Sequence, residues 1–240
     1  MNAPRAMAVV ATYNEAPNIE RLVREIAAQG VEVVVVDDHS PDGTGEMVEG
    51  LRGELPGVHV IRRAGKLGYG TAHIAGLRYA MERGCDPIIS MDADFSHDPA
   101  AIPALLEAAR EYDVVVGARY VPGGRVVNWP LRRKVLSRWA NLYVRTVLGL
   151  RVPDATSGYR CYHRRVLEAI DLDSLSGRGY AFLVEILYRC QRAGFRIGAA
   201  PITFVERRAG ASKMSRGVIL EAVILPWRLR FSRIPGAAER

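Results

Sequence analysis

Short apolar runs alternate with amphipathic stretches along the first half of the chain. The runs are rich in Val, Ile and Met, as in strands that are buried on both faces. Between them, apolar residues recur at spacings of three and four, which predicts helices with one core-facing side. The alternation predicts an α/β fold in which a mostly parallel sheet carries helices on both faces. The predicted strands span residues 6–11, 31–36, 58–61, 87–91 and 114–116.

The alternation stops after residue 118, so we expect one domain over 1–215 that is built from two halves, 1–118 and 119–215. The second half holds a glycine-containing loop, a basic amphipathic helix, another helix and a strand. These elements are predicted at 120–130, 131–148, 180–193 and 196–204, respectively.

The segment 216–240 is apolar, with arginines late in it. It could be a helix on a membrane surface, or one that packs on its own domain or on a partner subunit, and the sequence leaves these alternatives open. Glu221 and Pro226 interrupt its apolar run, so we expect no membrane-spanning helix. Three cysteines far apart in the 240-residue chain indicate buried, reduced thiols and a cytoplasmic location.

Charge is distributed unevenly along the chain, whose formal net charge is +7. Residues 1–118 hold 10 basic and 18 acidic side chains, whereas residues 119–165 hold 11 basic and 1 acidic. This pattern indicates an acidic scaffold that binds a metal, joined to a surface that receives anions. Nucleic acid, phospholipid and phosphorylated small molecules all fit such a surface. The alternative is a solvated basic face that aids solubility.

Two carboxylates, Asp92 and Asp94, directly follow the predicted strand 87–91. Side chains two residues apart on an extended segment point the same way, so both can meet one hard cation. Polar residues also follow the predicted strands before and after it, at 12–15, 37–44 and 117–120. Ligands gather at the carboxyl ends of parallel strands, so this convergence favours a binding site over a solvated turn. For Asp42, capping of a turn or helix is an equal alternative.

Several motifs together resemble the polyprenyl-phosphate (dolichyl-phosphate) mannose synthases of the family-2 inverting glycosyltransferases, over about residues 9–213. Three segments point most narrowly to that group: S-P-D-G-T at 40–44, L-G-Y-G-T-A at 67–72 and S-H-D-P at 96–99. The motifs are Ala11-Thr12-Tyr13-Asn14-Glu15, Asp37-Asp38-His39-Ser40-Pro41-Asp42-Gly43-Thr44, Lys66-Leu67-Gly68-Tyr69-Gly70-Thr71-Ala72, Asp92-Ala93-Asp94-Phe95-Ser96-His97-Asp98-Pro99, Gly117-Ala118-Arg119-Tyr120 and the pair Arg207 and Lys213.

The resemblance implies a GT-A fold, a Rossmann-like sheet, with a nucleotide and metal half (1–118) and an acceptor half (119–215). It implies transfer of mannose from GDP-mannose to polyprenyl phosphate with inversion, release of GDP, and Mg²⁺ or Mn²⁺ as cofactor. It also implies an enzyme that is peripheral on the cytoplasmic face of a membrane, in contact with the anionic surface, and it leaves room for a small membrane-anchoring subunit. Nucleic acid is not an expected partner.

Residue roles follow from the same resemblance. The catalytic residues would be Asp94, Arg119 and Arg133, and the metal would meet Asp92, Asp94 and Ser96. The acceptor phosphate would meet Arg119, Arg133 and Ser137. The nucleotide sugar would meet Ala11, Tyr13, Glu15, Val36, Asp38, Asp92, Ala93, Asp94, Arg119, Arg207 and Lys213.

Two alternatives stay open at the level of sequence. The first is the same fold with another nucleotide sugar, for glucosyl or aminosugar transfer to polyprenyl phosphate. The second is a nucleic-acid-binding module that uses the basic residues of 119–165. In such a module, the carboxylates at the ends of the predicted strands would have no role. His97 is either a metal ligand or a hydrogen-bond partner next to the D-x-D motif, which is formed by Asp92, Ala93 and Asp94.

Overall fold

A seven-stranded sheet forms the centre of the protein. The computed structural model describes residues 5–175, 179–206 and 216–232, without the side chains of Tyr180 and of residues 216–222. The strand order is β3-β2-β1-β4-β7-β5-β8, parallel except for β7, and β6 pairs with β9 in a small parallel sheet. The strands are β1 Met7–Thr12, β2 Glu32–Asp37, β3 Val58–Arg62, β4 Ile88–Asp92, β5 Val114–Ala118, β6 Arg125–Val127, β7 Arg160–Tyr162, β8 Ile197–Pro201 and β9 Thr203–Val205.

Helices cover both faces of the sheet, as the sequence predicts. Side chains alternate along each strand, so Val9 and Val34 enter one core while Val10 and Val35 enter the other. The first core includes residues of α3, α5 and α7, and the second includes residues of α1, α2 and α4. The helices are α1 Ala16–Ala27, α2 Thr44–Glu54, α3 Tyr69–Glu82, α4 Ile102–Ala108 (after a 3₁₀ turn at Pro99–Ala101), α5 Leu131–Leu148, α6 Arg164–Ala169, α7 Tyr180–Arg192 and α8 Arg216–Phe231.

The antiparallel strand β7 is the main departure from the predicted order. It inserts between β4 and β5 and pairs with both, through Cys161 opposite Ile89 and Val115. Three residues are too few for a periodicity signal, and the fully buried Arg160 argues against a core strand when only sequence is considered. In the structure its guanidinium is satisfied by carbonyl groups, including those of Ser157 (2.8 Å) and Ala155 (2.9 Å).

The single strand predicted over 196–204 is wrong, because the chain divides it between two sheets. β8 pairs with β5, whereas β9 pairs with β6. Between them, the Ile202 amide donates to the Ala118 carbonyl (3.1 Å) and the Ile202 carbonyl accepts from the Arg125 amide (3.0 Å). The apolar pattern continues through this junction, so it does not reveal the change of partner.

The C-terminal helix α8 packs on its own domain, against α5 and α7. The Tyr143 hydroxyl donates to the Val223 carbonyl (2.7 Å), and Arg230 Nη1 donates to the Val147 carbonyl (2.9 Å). In the part of the chain that the structure describes, no helix combines the length and apolarity needed to span a bilayer. The three cysteines are buried and unbridged.

Candidate active site

The loops that follow β1 and β2 are joined by hydrogen bonds. The Glu15 amide donates to Thr44 Oγ1 (3.0 Å), and the Ala16 amide donates to Asp42 Oδ2 (3.0 Å). The Thr44 hydroxyl donates to Asp42 Oδ1 (2.6 Å). Burial alone would raise the pKa of Asp42, but the hydrogen bonds from Thr44 and Ala16 outweigh it and hold that pKa below its usual value. Asp42 therefore braces the two loops, in line with the turn-capping alternative.

Asp38 is buried directly after β2 and fixes the loop between β3 and α3. Its Oδ2 accepts the amides of Leu67 (3.1 Å) and Gly68 (2.9 Å), and Arg63 Nη1 lies 2.7 Å from its Oδ1. Gly68 has a φ of +106°, a left-handed conformation that glycine adopts without strain. The Asp38 carboxylate is therefore a structural anchor of this loop.

The first carboxylate of the D-x-D motif, Asp92, ends β4 and is held at two points. Its amide donates to His97 Nδ1 (3.1 Å), and its Oδ1 accepts from the Tyr69 hydroxyl (2.9 Å). Because Nδ1 of His97 accepts, the neutral ring carries its proton on Nε2. Burial lowers the pKa of His97 and so favours the neutral ring.

The second carboxylate, Asp94, begins a tight turn. Its Oδ1 accepts the Ser96 amide (3.0 Å), and Phe95 between them has a φ of +59°. Among the described residues, the buried Ser96 hydroxyl has no hydrogen-bond partner. The turn therefore places an unsatisfied oxygen two residues after Asp94.

These loops and strand ends line one cleft at the carboxyl edge of the sheet. Across it, Lys66 Nζ lies 4.0 Å from the centroid of the Tyr13 ring, which is a cation–π contact. The lining residues are Ala11, Thr12, Tyr13, Glu15, Asp38, Lys66, Gly68, Tyr69, Ala72, Asp92, Ala93 and Asp94. The cleft thus has three buried or half-buried aspartates at its edge.

Arg119 is neutralised by a buried carboxylate. Its Nε and Nη2 donate to the two oxygens of Asp154 (both 2.8 Å), and Nη2 also donates to Thr156 Oγ1 (2.7 Å). Asp154 is fully buried. Burial would raise the pKa of Asp154, but the hydrogen bond and charge of Arg119 outweigh it and hold that pKa below its usual value. Such bidentate pairs fix the orientation of the guanidinium.

Arg133, near the start of α5, also meets a carboxylate. Its Nη1 donates to Glu206 Oε1 (2.5 Å), and its guanidinium lies 4.1 Å from the Trp129 ring centroid. Both side chains of this pair are about one-third exposed, 36% for Arg133 and 35% for Glu206. On the same helix, Ser137 Oγ accepts from the Tyr120 hydroxyl (2.8 Å).

The structure therefore gathers the predicted residues into two groups. Seven predicted nucleotide-sugar residues line the cleft: Ala11, Tyr13, Glu15, Asp38, Asp92, Ala93 and Asp94. Val36 is fully buried in β2 and lies outside that lining. Arg119, Arg133 and Ser137 form the second group around the rings of Tyr120 and Trp129. Arg207 and Lys213 lie outside the described residues.

Sequence reasoning missed three residues that organise the site. Tyr69 holds Asp92, Asp154 holds Arg119 and Arg63 contacts Asp38. Tyr69 falls in one of the motifs quoted above and Asp154 in none of them, and their partners lie 23 and 35 positions away. Only the tertiary structure reveals such pairs.

Comparison with known proteins assigns the family. The model of "Glycosyl transferase family 2" matches residues 7–171, which includes β1 to β7 and the D-x-D motif. The chain belongs to this family. An undecaprenyl-phosphate mannosyltransferase of Micrococcus luteus is 48% identical to this family 2 chain over 222 residues, covering 92% of this chain and 91% of the relative. A polyprenol monophosphomannose synthase of Mycolicibacterium smegmatis is 44% identical over 232 residues, covering 94% and 88%.

Solved structures support the GT-A fold of this family 2 chain. The mannosyltransferase PcManGT of Pyrobaculum calidifontis, solved with GDP-Man and Mn²⁺, superposes with a TM-score of 0.61 at 18% identity, covering 96% of this chain and 74% of that chain. S. aureus TarS with UDP gives a TM-score of 0.58 at 18% identity, covering 92% and 64%. At such identities the likeness shows the fold alone.

Proposed function

We propose that this chain transfers mannose from GDP-mannose to a polyprenyl phosphate with inversion, releasing GDP and forming polyprenyl-phosphate mannose. The observation that carries the proposal is the cleft that places Asp92 and Asp94 beside the β1 and β2 loops. Support comes from the relatives at 44% and 48% identity, whose names are those of polyprenyl-phosphate mannosyltransferases.

The donor diphosphate would bind with Mg²⁺ or Mn²⁺ at Asp92 and Asp94. Among the described residues, no three His, Cys, Asp or Glu side chains form a metal cluster, so the protein offers a partial ligand set that diphosphate oxygens would complete. The buried, unsatisfied Ser96 hydroxyl fits a further oxygen ligand. When bound, the cation supplies positive charge that stabilises the departing diphosphate.

The acceptor needs no general base from the protein. A phosphate monoester has a second pKa of about 6, so near neutral pH it already carries the attacking oxyanion. Its oxygen forms the new bond to the anomeric carbon while the bond to the diphosphate breaks and the electron pair leaves with GDP. The task of the protein is therefore to orient both substrates.

Arg133 and Arg119 would contribute to acceptor binding in different ways. Arg133 is partly exposed and can exchange Glu206 for a phosphate oxygen. Arg119 is buried and keeps Asp154 as partner, so it would orient the site with little net charge. Ser137 would add a hydroxyl on the face of α5 that carries Arg133.

A surface made by α5 and α8 would rest on the anionic cytoplasmic face of a membrane. Nine large apolar side chains are exposed on these two helices, and the basic Arg132, Arg138 and Arg228 are exposed beside them. Each basic residue near an anionic bilayer contributes roughly 1 kcal/mol. The apolar residues are Leu131, Val135, Leu136, Trp139, Leu142, Val223, Ile224, Trp227 and Phe231.

The transfer reaction itself is the direct test. Radiolabelled GDP-mannose, Mn²⁺ and a polyprenyl phosphate are incubated with the protein, and labelled lipid is extracted into organic solvent. We expect label in the organic phase only when lipid phosphate is present, and none from UDP-glucose or a UDP-aminosugar. A clear preference for a uridine donor would contradict the proposal.

A further inference from the structure

Asp92 is immobilised by neighbours from two different parts of the chain. The Tyr69 hydroxyl, at the first residue of α3, donates to Oδ1 of the carboxylate (2.9 Å). His97 accepts the Asp92 amide through Nδ1 (3.1 Å) and lies 3.8 Å from Oδ2. The backbone and one carboxylate oxygen of Asp92 are therefore both tied in place.

The packing of α3 places the Tyr69 hydroxyl precisely. A Cβ at Gly76 would lie 2.3 Å from Val9 Cγ1, so the helix approaches the sheet more closely than any larger residue permits. A Cβ at Gly158, just before β7, would lie 2.9 Å from the Tyr69 hydroxyl oxygen. Two glycines thus leave the room that the ring needs to reach Asp92.

The ring itself has little freedom to leave this position. It meets the His73 ring edge-on, with centroids 4.5 Å apart, and His73 is buried on the same helix. Because the Tyr69 side chain is already ordered by this packing, it loses no further rotamer freedom when a ligand binds at Asp92. Hydrogen bonds to metal-binding carboxylates orient them, and their removal costs about 10- to 100-fold in metal affinity or activity.

We propose that Tyr69 is a positioning residue that orients the Asp92 carboxylate for the divalent cation of the donor complex. The inference rests on the proposed function, because it assumes that Asp92 meets that cation. It assigns Tyr69 no contact with the sugar and no proton transfer. Loss of the hydroxyl should therefore weaken cation binding and leave nucleotide binding without metal unchanged.

The test compares Tyr69→Phe with Tyr79→Phe. Tyr79 lies on the same helix, where its ring contacts His59 and Arg83, so its variant controls for loss of a tyrosine hydroxyl from α3. Mn²⁺ binding is measured by electron paramagnetic resonance in the presence of GDP, and GDP binding is measured by calorimetry with and without Mn²⁺. Transfer is measured over a range of Mn²⁺ concentrations.

For Tyr69→Phe we expect the Mn²⁺ dissociation constant in the presence of GDP to rise about tenfold. We expect metal-free GDP binding to stay within about twofold of the wild type, and high Mn²⁺ to restore most of the turnover. Unchanged Mn²⁺ affinity, or an equal fall in metal-free GDP binding, would overturn the role of Tyr69. A wild-type protein that binds no Mn²⁺ with GDP would overturn the proposed donor site as well.

Discussion

The proposed donor half and the proposed acceptor half of the site differ in how several of their charged groups are bonded. In the donor half, Asp42, Asp92 and Asp94 accept hydrogen bonds from neutral amides and hydroxyls, and Asp38 pairs with Arg63. In the acceptor half, Arg119 and Arg133 each meet a carboxylate. A neutral donor does not cancel the charge of a carboxylate, whereas an ion pair cancels the charge of both partners. The excess of basic residues in 119–165 therefore overstates the charge that an acceptor phosphate would meet at these two arginines.

Removal of Asp154 should have the largest effect and sharpen this contrast. Asp154→Ala leaves Arg119 buried without its partner, and we expect the free energy of unfolding to fall by about 3–5 kcal/mol. Denaturant titration measures it. The control is Glu168→Ala, which removes an exposed pair with Arg164 and should cost less than about 1 kcal/mol. Equal effects of the two variants would mean that burial does not distinguish these pairs.

The same pair predicts a pH dependence. The pKa of Asp154 is lower in the folded protein than its unfolded value of about 3.9. Its stabilisation is therefore fully present above that value and is lost as the pH falls through the folded-state pKa. As the pH is lowered below 4, the free energy of unfolding should fall less steeply in Asp154→Ala than in the wild type. Denaturant titration at several pH values measures this difference.

Asp94 tests the donor half. Asp94→Asn keeps the shape of the side chain but removes the charge that a cation requires, and we expect transfer to fall by about 100- to 1,000-fold. The unfolding transition should change little, because the amide oxygen can still accept from Ser96. The radiolabel assay and thermal unfolding measure the two effects. Near-normal turnover of the folded variant would remove Asp94 from the metal site.

His73 lies where the two halves meet, on α3 and facing Phe182 of α7. Within the described residues neither ring nitrogen has a hydrogen-bond partner, and burial lowers the pKa of His73 to about 3. The unfolded chain binds a proton below about pH 6.5 while the folded protein does not, so stability falls as the pH drops, by about 1.4 kcal/mol per unit.

The variant His73→Phe should not show this loss of stability at low pH. Between pH 8 and pH 5 we expect the variant to gain about 2 kcal/mol relative to the wild type, measured by denaturant titration at both pH values. The comparison at pH 8 controls for the change in packing. A difference between the two proteins that does not vary with pH would show that the buried ring does not titrate in this way.

Arg133 should give the smallest effect and test the acceptor half. Arg133→Ala is expected to raise KM for polyprenyl phosphate about tenfold, because a charge-assisted contact is lost, with KM for GDP-mannose nearly unchanged. Glu206→Gln should lower the acceptor KM by about threefold, since it frees Arg133 from a partly exposed ion pair. Arg132→Ala, on the adjacent exposed position of α5, is the control, with the acceptor presented in neutral detergent so that no anionic bilayer is present. A change confined to the donor KM would contradict the assignment.

The sequence predicts the donor half better than the acceptor half, for a physical reason. Strands β1 to β5 are apolar runs joined by amphipathic helices, so periodicity and local order determine the parallel arrangement, and their ends bring the D-x-D motif to the cleft. The acceptor half depends on contacts between distant residues. The short strand β7, the split between β8 and β9 and the pair Arg119–Asp154 all need partners that no local pattern reveals.

The insertion of β7 also limits how this protein can be recombined with its relatives. A chimaera joined after Ala118 would take β4 and β5 from one parent. Strand β7, which pairs with both of them, would come from the other parent. The graft would have to match Cys161 against both Ile89 and Val115 at once. On the proposed assignment of the acceptor site, exchange of acceptor preference is therefore better attempted by transplanting the α5 surface than by swapping whole halves.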